Sequence, residues 1–541
     1  MKSRGRVLLF SKSSREIQLQ DDYDVLIVGG GIYGATLSYV AAKNGYKVLL
    51  VEKNDYASGT SSNSLKILHG GIRYLQSFDF IRVIESAKER ARLTSLMPNL
   101  VRPITCLLPV KTGLIKNKYF IYLGLVLFDF IRRVINKKYS IYKHDKTKIL
   151  TKSTLKKLYY GVANVKESIG LCWQDSQVVS TERMVYKFTT LAKEAGADTY
   201  NYLSYANSEY EHNIHSVKLF DEITGEHLKT SVNVIVDATS SWQINKSKQN
   251  NAISYVSAVN LIVNKRLSDK IIGIPFQKNN VSRTLFISPW NNSTLIGTWY
   301  FNELNEVDES ILEECLEDIN EYFEHTSIRK EDVTFIHHGK LPSNQLEIEN
   351  PYMDIQNHYK ILNGKFPGIY IVQGVKYTTA MDVAEKTVLH INKYFETVDN
   401  SKQHKGIEVD AVATATNIYE SLYNKYKGII SSKVFERLFT LYGEETDKIL
   451  TLTYSNAVLL EYVPGSNMVL KAEIDYVLAN EEIYYLSDLL LRRTDIGTQF
   501  KPNKEMINYC ANAMAKHFKW DSEVLDHNYK ELDRYYPSWV K

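Results

Sequence analysis

The sequence predicts an α/β fold: a doubly wound, Rossmann-like dinucleotide-binding domain, an antiparallel-sheet substrate domain and an all-helical C-terminal domain. Three observations predict it. Residues 24–52 read as strand, glycine turn, helix and second strand, the order and roughly 30-residue length of a βαβ unit. Alternating β-branched segments fill much of 253–297, between two further short apolar runs. From about Ala413 onward strand signals stop and apolar residues recur at helical spacing.

Asp24 to Gly29 (DVLIVG) is a short apolar run of the kind found in parallel strands buried on both faces. The helix from about Ile32 to Asn44 carries Gly34, Ala35, Ala41 and Ala42, small enough for close packing on a sheet, and Gly45 closes it. Lys47 to Glu52 (KVLLVE) is the second strand. Val232 to Ala238 and Gly368 to Val372 are short enough to be central strands, expected to return to the same sheet. Ile253 to Val263, Arg283 to Ser288 and Thr294 to Gly297 alternate like an antiparallel sheet covered on one side. The amphipathic stretch Ala472 to Arg493 belongs to the C-terminal domain, joined through the polar stretch Thr397 to Gly406. The partition expected is an extension at 1–20, a dinucleotide-binding domain from 21–105, 165–250 and 365–400, a substrate domain from 106–164 and 251–364, and a helical domain at 407–541.

Gly29-Gly30-Gly31-Ile32-Tyr33-Gly34 supplies G-x-G-x-x-G between strand and helix. Gly29 permits the tight turn, Gly31 lets the backbone approach a pyrophosphate at the positive helix end, and Gly34 lets helix and strand pack closely. Glu52 ends the second strand where a carboxylate accepts hydrogen bonds from ribose hydroxyls. A lone fingerprint is weak, but strand, helix, second strand and terminal acid coincide here.

Composition bounds the rest. A chain of 541 residues exceeds one ordinary core. Lys and Arg total 66 against 62 Asp and Glu, a net charge of +4 that gives no reason to expect a nucleic-acid partner. The four cysteines are far apart with no C-x-x-C pair, so no zinc site, other metal site or disulfide framework is expected, and a cytoplasmic setting fits. Val7 to Phe10 is too short for a signal-peptide core. Tyr119 to Val134 is apolar but broken by Asp129, Arg132 and Arg133 well before the roughly 20 residues of a spanning helix. It is expected to be a helix, either packed in a core or lying at the cytoplasmic face of a membrane.

Ser58 to Ser64 is a run of small polar residues leading into Lys66-Ile67-Leu68-His69-Gly70-Gly71-Ile72-Arg73-Tyr74. From Thr60 onward this resembles the flavin-binding signature of the FAD-dependent glycerol-3-phosphate dehydrogenases. The likeness continues through Leu171 to Asp175, Asp237 to Trp242, Pro289-Trp290, Ile296 to Thr298 and Gly374 to Thr379, and into the helical tail, from about Asp22 to Tyr536. The resemblance implies FAD as cofactor and oxidation of sn-glycerol 3-phosphate to dihydroxyacetone phosphate by hydride transfer to flavin, with electrons passing to a quinone or another acceptor. Thr60, Ser61, Ser62, Lys66, His69, Gly70, Gly71, Ala238, Gly374, Lys376, Thr378 and Thr379 would join Gly29, Gly31, Gly34 and Glu52 around the cofactor. Arg73, Lys340 and Lys376 would supply charge for an anionic small-molecule substrate, with Tyr74 as a hydrogen-bond partner. A homodimer is compatible with the resemblance.

The departures cluster on the substrate side. His338-Gly339-Lys340-Leu341-Pro342 places a lysine where the family has an arginine, losing the planar two-point grip on phosphate. Ser257-Ala258-Val259-Asn260 replaces a stretch ending in a proton-accepting histidine, and asparagine is no base near neutral pH. Asn350-Pro351 is uncharged near a second family arginine, Val375 replaces a glycine, and Ala380 and Met381 follow the threonines. His337-His338 is a candidate replacement base, although adjacent strand residues point to opposite faces. Two alternatives stand beside the leading one: an oxidoreductase of this scaffold acting on a different hydroxy or amino compound, and a flavin-binding interaction module without turnover.

Overall fold

The computed structural model describes residues 15–72, 79–110, 118–139, 141, 144–159, 169–240, 254–278, 281–323, 327–398 and 415–540. Its first sheet runs in the order Lys360–Asn363, Ile369–Gln373, His227–Asp237, Asp22–Val28, Val48–Val51, Asp198–Tyr200. The two later apolar runs return beside the first strand as expected: Val234 pairs with Val25, and Ile235 with Ile369, both in parallel. Every residue from Val25 to Val28 is buried because both faces are covered. On one side lie the helices Ile32–Lys43, Thr181–Glu194 and Ala380–Val398. On the other, Leu26, Val28, Leu49 and Val51 pack against Leu203, Val217 and Leu219 of the antiparallel strands Leu203–Glu211 and Ile214–Asp221.

The second sheet runs Val333–Pro342, Tyr255–Val263, Ser293–Phe301, Val281–Trp290, Ile271–Lys278, Val101–Val110, Ile169–Val178, Ile67–Leu68. It is antiparallel except where Ile271 and Ile272 run parallel to Cys106 and Leu107. One face is sealed by Leu312, Cys315, Leu316 and Ile319 of the helix Glu309–Asn320. The other faces the dinucleotide-binding region.

The C-terminal helices begin with Ala415–Tyr426, and three of their starts are capped by Ser431, Asn503 and Asp521. The stretch Ala472 to Arg493 is not one helix. Lys471–Asn480 ends where Glu481 takes an extended backbone and pairs with Arg183 at 2.7 Å, and the chain resumes as a π-helical turn, Asp488–Arg493. The helix thus stops where Glu481 joins the helix Thr181–Glu194 through Arg183. The apolar stretch near residue 120 is the helix Lys118–Lys138. Leu125 and Phe128 face inward, whereas Tyr122, Leu123, Phe130 and Val134 are more than half exposed. Among the described residues no helix is long and apolar enough to cross a membrane.

Candidate functional site

A cavity of about 2490 Å³ runs between the two sheets, lined by Gly29, Gly31, Glu52, Ser61, Asn260, Thr298 and Lys376 among others. That is well above the roughly 300–1,000 Å³ of a site for one small ligand, enough for an extended cofactor with a substrate beside it. The glycine turn forms its floor. Gly29 has φ +109°, which only glycine adopts without strain, and a Cβ on Gly34 would stand 1.8 Å from the Gly29 carbonyl. At Gly31 a Cβ would come within 3.1 Å of Ser61 Oγ, a tight contact that a small shift of that hydroxyl must relieve, and would meet no other protein atom within 4 Å. Glu52 accepts from Gly30 N at 2.6 Å and Asn54 N at 2.8 Å, and its carboxylate keeps lone-pair sites for further donors. Burial pushes its pKa up while those two backbone bonds pull it down. An open cradle at a helix start with an acid at the neighbouring strand end fits the pyrophosphate and ribose of a dinucleotide.

The Gly31 geometry gives a clean test. Gly31→Val adds bulk on the cavity side, where Ser61 Oγ alone must give way, so the fold is expected to hold while cofactor occupancy falls at least tenfold, measured by absorbance of the purified protein. Equal occupancy in variant and parent would remove the phosphates from this turn.

The polar run after Glu52 lines the cavity at Ser58, Thr60, Ser61 and Ser64 and is held by its own hydrogen bonds. Ser61 Oγ accepts from Ile32 N at 2.9 Å, and Ser62 Oγ donates to the Gly59 carbonyl at 3.0 Å. Thr60 Oγ1 accepts from Lys340 N at 3.0 Å, tying the run to the second sheet. Lys66 is fully buried, with Nζ 2.9 Å from Glu182 and 2.8 Å from Thr181 Oγ1. Its ammonium is thus an internal strut. Gly70 N donates to Asp175 Oδ1 at 2.7 Å, Trp173 Nε1 donates to Asp175 Oδ2 at 3.1 Å, and Gly71 has φ +87°. His69 lies half-exposed near the same carboxylate, 3.7 Å away. Arg73 and Tyr74 lie outside the described residues, as do Ser241 and Trp242.

The opposite wall is closed by Gly374 to Thr379. Tyr33, within the fingerprint, holds that turn: its hydroxyl accepts from Val375 N and Lys376 N at 3.1 Å and donates to Lys376 O at 2.7 Å. A Cβ on Gly374 would overlap the Tyr33 ring at 1.9 Å. Sequence reasoning missed this clamp, since the x positions of a fingerprint carry no expectation. Thr379 Oγ1 donates to Lys376 O at 3.1 Å, Thr378 is buried, and Ala238 N donates to Val28 O at 2.9 Å beside the glycine turn.

On the substrate side, Asn260 lines the cavity with both ends of its amide engaged. Thr298 Oγ1 donates to Oδ1 at 2.7 Å, and Nδ2 donates to the Asn63 carbonyl at 3.3 Å. Strand pairing sets Asn260 opposite His337 and Ser257 opposite Lys340, so Lys340 shares the sheet face away from Asn260. There its Nζ meets Glu303 at 2.7 Å. His338 Nε2 lies 3.0 Å from Ser257 Oγ on that same far face. His337 is buried between Trp290 and Phe335, and burial, with Lys66 nearby, pushes its pKa well down. The structure therefore gathers Lys376, Asn260 and Lys340 along the cavity, with the Lys340 ammonium paired to Glu303.

Comparisons with known proteins find relatives along most of the chain. The sequence model of a family described as FAD dependent oxidoreductase matches residues 24–380, and one described as C-terminal domain of alpha-glycerophosphate oxidase matches 406–525. The chain is 26% identical to a glycerol-3-phosphate dehydrogenase of Synechocystis sp., covering 95% of this chain and 96% of that one. It is also 26% identical to an aerobic glycerol-3-phosphate dehydrogenase of Staphylococcus aureus, covering 90% and 89%. In fold it is similar to the glycerol-3-phosphate dehydrogenase of Bacillus halodurans complexed with FAD, with TM-score 0.72, 20% identity and coverage of 95% and 94%.

Proposed function

The chain belongs to the FAD dependent oxidoreductase family, and on that premise we propose that it oxidises sn-glycerol 3-phosphate, or a close anionic analogue, to the corresponding ketone. The observation that carries this reading is the placement of Lys376. It lies in the turn that closes the cavity, held by Tyr33, and lines that cavity together with Asn260 and Thr298. Bound FAD would supply the acceptor for the hydride from the substrate carbon. Gly29, Gly31, Glu52 and the helix start would hold its adenosine and phosphates. Lys376 would give fixed charge to the anionic handle, and Thr298, already donating to Asn260, fixes how that amide faces the substrate.

A second reading has its own observation. Asn260 cannot take the hydroxyl proton near neutral pH, and the ammonium of Lys340, where the family has an arginine, is paired with Glu303. Both changes favour a different hydroxy or amino substrate on the same scaffold. Anaerobic mixing of the flavin-loaded protein with a panel of phosphorylated and unphosphorylated alcohols and amines separates the two. Bleaching by micromolar glycerol 3-phosphate, weakened at least tenfold in Lys376→Ala, is expected from the first reading; hydrogen bonds to charged groups contribute about 1.5–3 kcal/mol each. An unchanged spectrum at millimolar glycerol 3-phosphate, with flavin fully bound, would transfer the case to the second.

The electron acceptor we infer is apolar, a quinone, reached at the cytoplasmic face of a membrane. Phe80, Leu123 and Leu127 are exposed and also line the cavity, and Ile81 and Phe130 extend the same apolar surface at 72% and 61% exposure. Arg133, Lys137 and Lys138 accompany it on the helix Lys118–Lys138, a composition suited to an anionic interface. Flotation with anionic liposomes is expected for the parent and not for Leu123→Glu/Phe130→Glu. Equal flotation of both would exclude this surface as the contact.

A further inference from the structure

The end of the cavity beyond Glu52 is walled by two domains. Leu203 N donates to Glu52 O at 2.8 Å and Tyr202 N to Asn54 O at 2.9 Å, so this segment lies alongside the acid that marks the ribose position. Lys53, Tyr202 and Ser204 line the cavity from the dinucleotide-binding side, and Tyr485, His527 and Tyr535 line it from the C-terminal helical domain. The rings of Tyr202 and Tyr485 lie 5.2 Å apart, and those of Tyr485 and His527 lie 6.2 Å apart. Tyr202 is held at φ +54°, a left-handed conformation unusual for tyrosine, while its hydroxyl donates to Asp488 Oδ1 at 2.7 Å.

The two walls are fastened to each other beneath this aromatic face. Asp55, three residues after Glu52 and 1% exposed, receives Arg492 Nε at 2.7 Å, Arg493 Nη1 at 2.8 Å and Arg493 Nη2 at 2.7 Å, with Asn201 Nδ2 at 2.8 Å. Arg492 Nη2 also reaches Asp488 at 2.5 Å. The loop that presents Glu52 is therefore clamped by the π-helical turn of the C-terminal domain.

We propose that the C-terminal helical domain forms the outer wall of the adenine pocket, with Tyr202 and Tyr485 offering aromatic faces to the purine. This rests on the reading that FAD fills the cavity. The consequence is that adenosine binding and docking of the helical domain are coupled: the ligand contacts both walls, and each wall fixes the other. Aromatic stacking on a base is tolerant of which base but intolerant of an aliphatic replacement.

The full-length protein, freed of flavin and titrated with FAD and separately with ADP, tests this. Tyr485→Leu is expected to weaken both about tenfold, and Tyr485→Phe to stay near the parent. Loss of FAD affinity with ADP affinity intact, or no loss of either, overturns the proposal. Hydrogen exchange on the unmodified chain gives a second reading that needs no variant. Adding ADP is expected to slow exchange in 481–493 and 522–536, and unchanged exchange there with ADP bound overturns the proposal as well. A parent chain that takes up neither FAD nor ADP would bring down the functional reading itself, an outcome distinct from a parent that binds both while Tyr485→Leu behaves identically.

Discussion

Arg493→Ala is expected to destabilise the fold by about 3–5 kcal/mol, the cost of leaving one partner of a buried ion pair uncompensated. Arg493 is 1% exposed and provides two of the three guanidinium contacts to Asp55, and its Nη2 also donates to the Glu482 carbonyl at 2.6 Å. Without it the Asp55 carboxylate keeps Asn201 Nδ2 and the Arg492 guanidinium, with Asp488 competing for that cation. Burial pushes the Asp55 carboxyl up, but Arg493 and then Arg492 more than offset this and hold it below the ordinary carboxylate range. A lowered folded-state pKa means that the ionised form stabilises the fold fully above that range, and the contribution is lost as the pH falls through the lowered value. Calorimetry of parent and variant at neutral pH would show the loss as a lower transition. Coincident transitions there would mean that the network contributes nothing.

Asn260→His is expected to raise the rate of flavin reduction by glycerol 3-phosphate by about 10²-fold, the lower end of what a positioned general base contributes. The site has room, because Asn260 lines the cavity and a longer side chain extends into it. Its neighbour can orient a ring: Thr298 Oγ1, now donating to Asn260 Oδ1, is placed to hold one imidazole nitrogen. A general base acts in the transition state, so the gain should appear chiefly in the rate at saturating substrate. Stopped-flow absorbance on the reloaded variant decides it. A rate equal to the parent's would show that proton acceptance is not what the parent lacks.

Much of this was legible in the sequence, and for identifiable reasons. The fingerprint positions Gly29, Gly31, Gly34 and Glu52 obey a local rule, and the structure puts them around one turn. The strands Asp22–Val28, His227–Asp237 and Ile369–Gln373 were findable because a strand buried on both faces must be apolar throughout. What stayed hidden depends on distant partners. Nothing local marks Tyr33 as the clamp on Lys376, 343 residues away, or Glu182 as the partner of Lys66. That Lys340 pairs with Glu303 was hidden because sequence position does not reveal which neighbours the strand Val333–Pro342 brings to it. The break after Asn480 was invisible because Glu481, where the helix stops, joins the distant Arg183.

The order of strands in the first sheet also bears on how the chain is made. Asp22–Val28 and Val48–Val51 pair with each other and precede the rest of the sheet, but His227–Asp237, which covers the other edge of Asp22–Val28, follows about 200 residues later, and Ile369–Gln373, which pairs with His227–Asp237, later still. Until then the first strand carries an open, apolar edge, the kind of surface that recruits other strands. Synthesis at roughly 5–20 residues per second leaves that edge unpaired for tens of seconds. The nascent protein is therefore a natural client for holding chaperones, and its yield in a foreign host should depend more on their supply than on the stability of the finished fold.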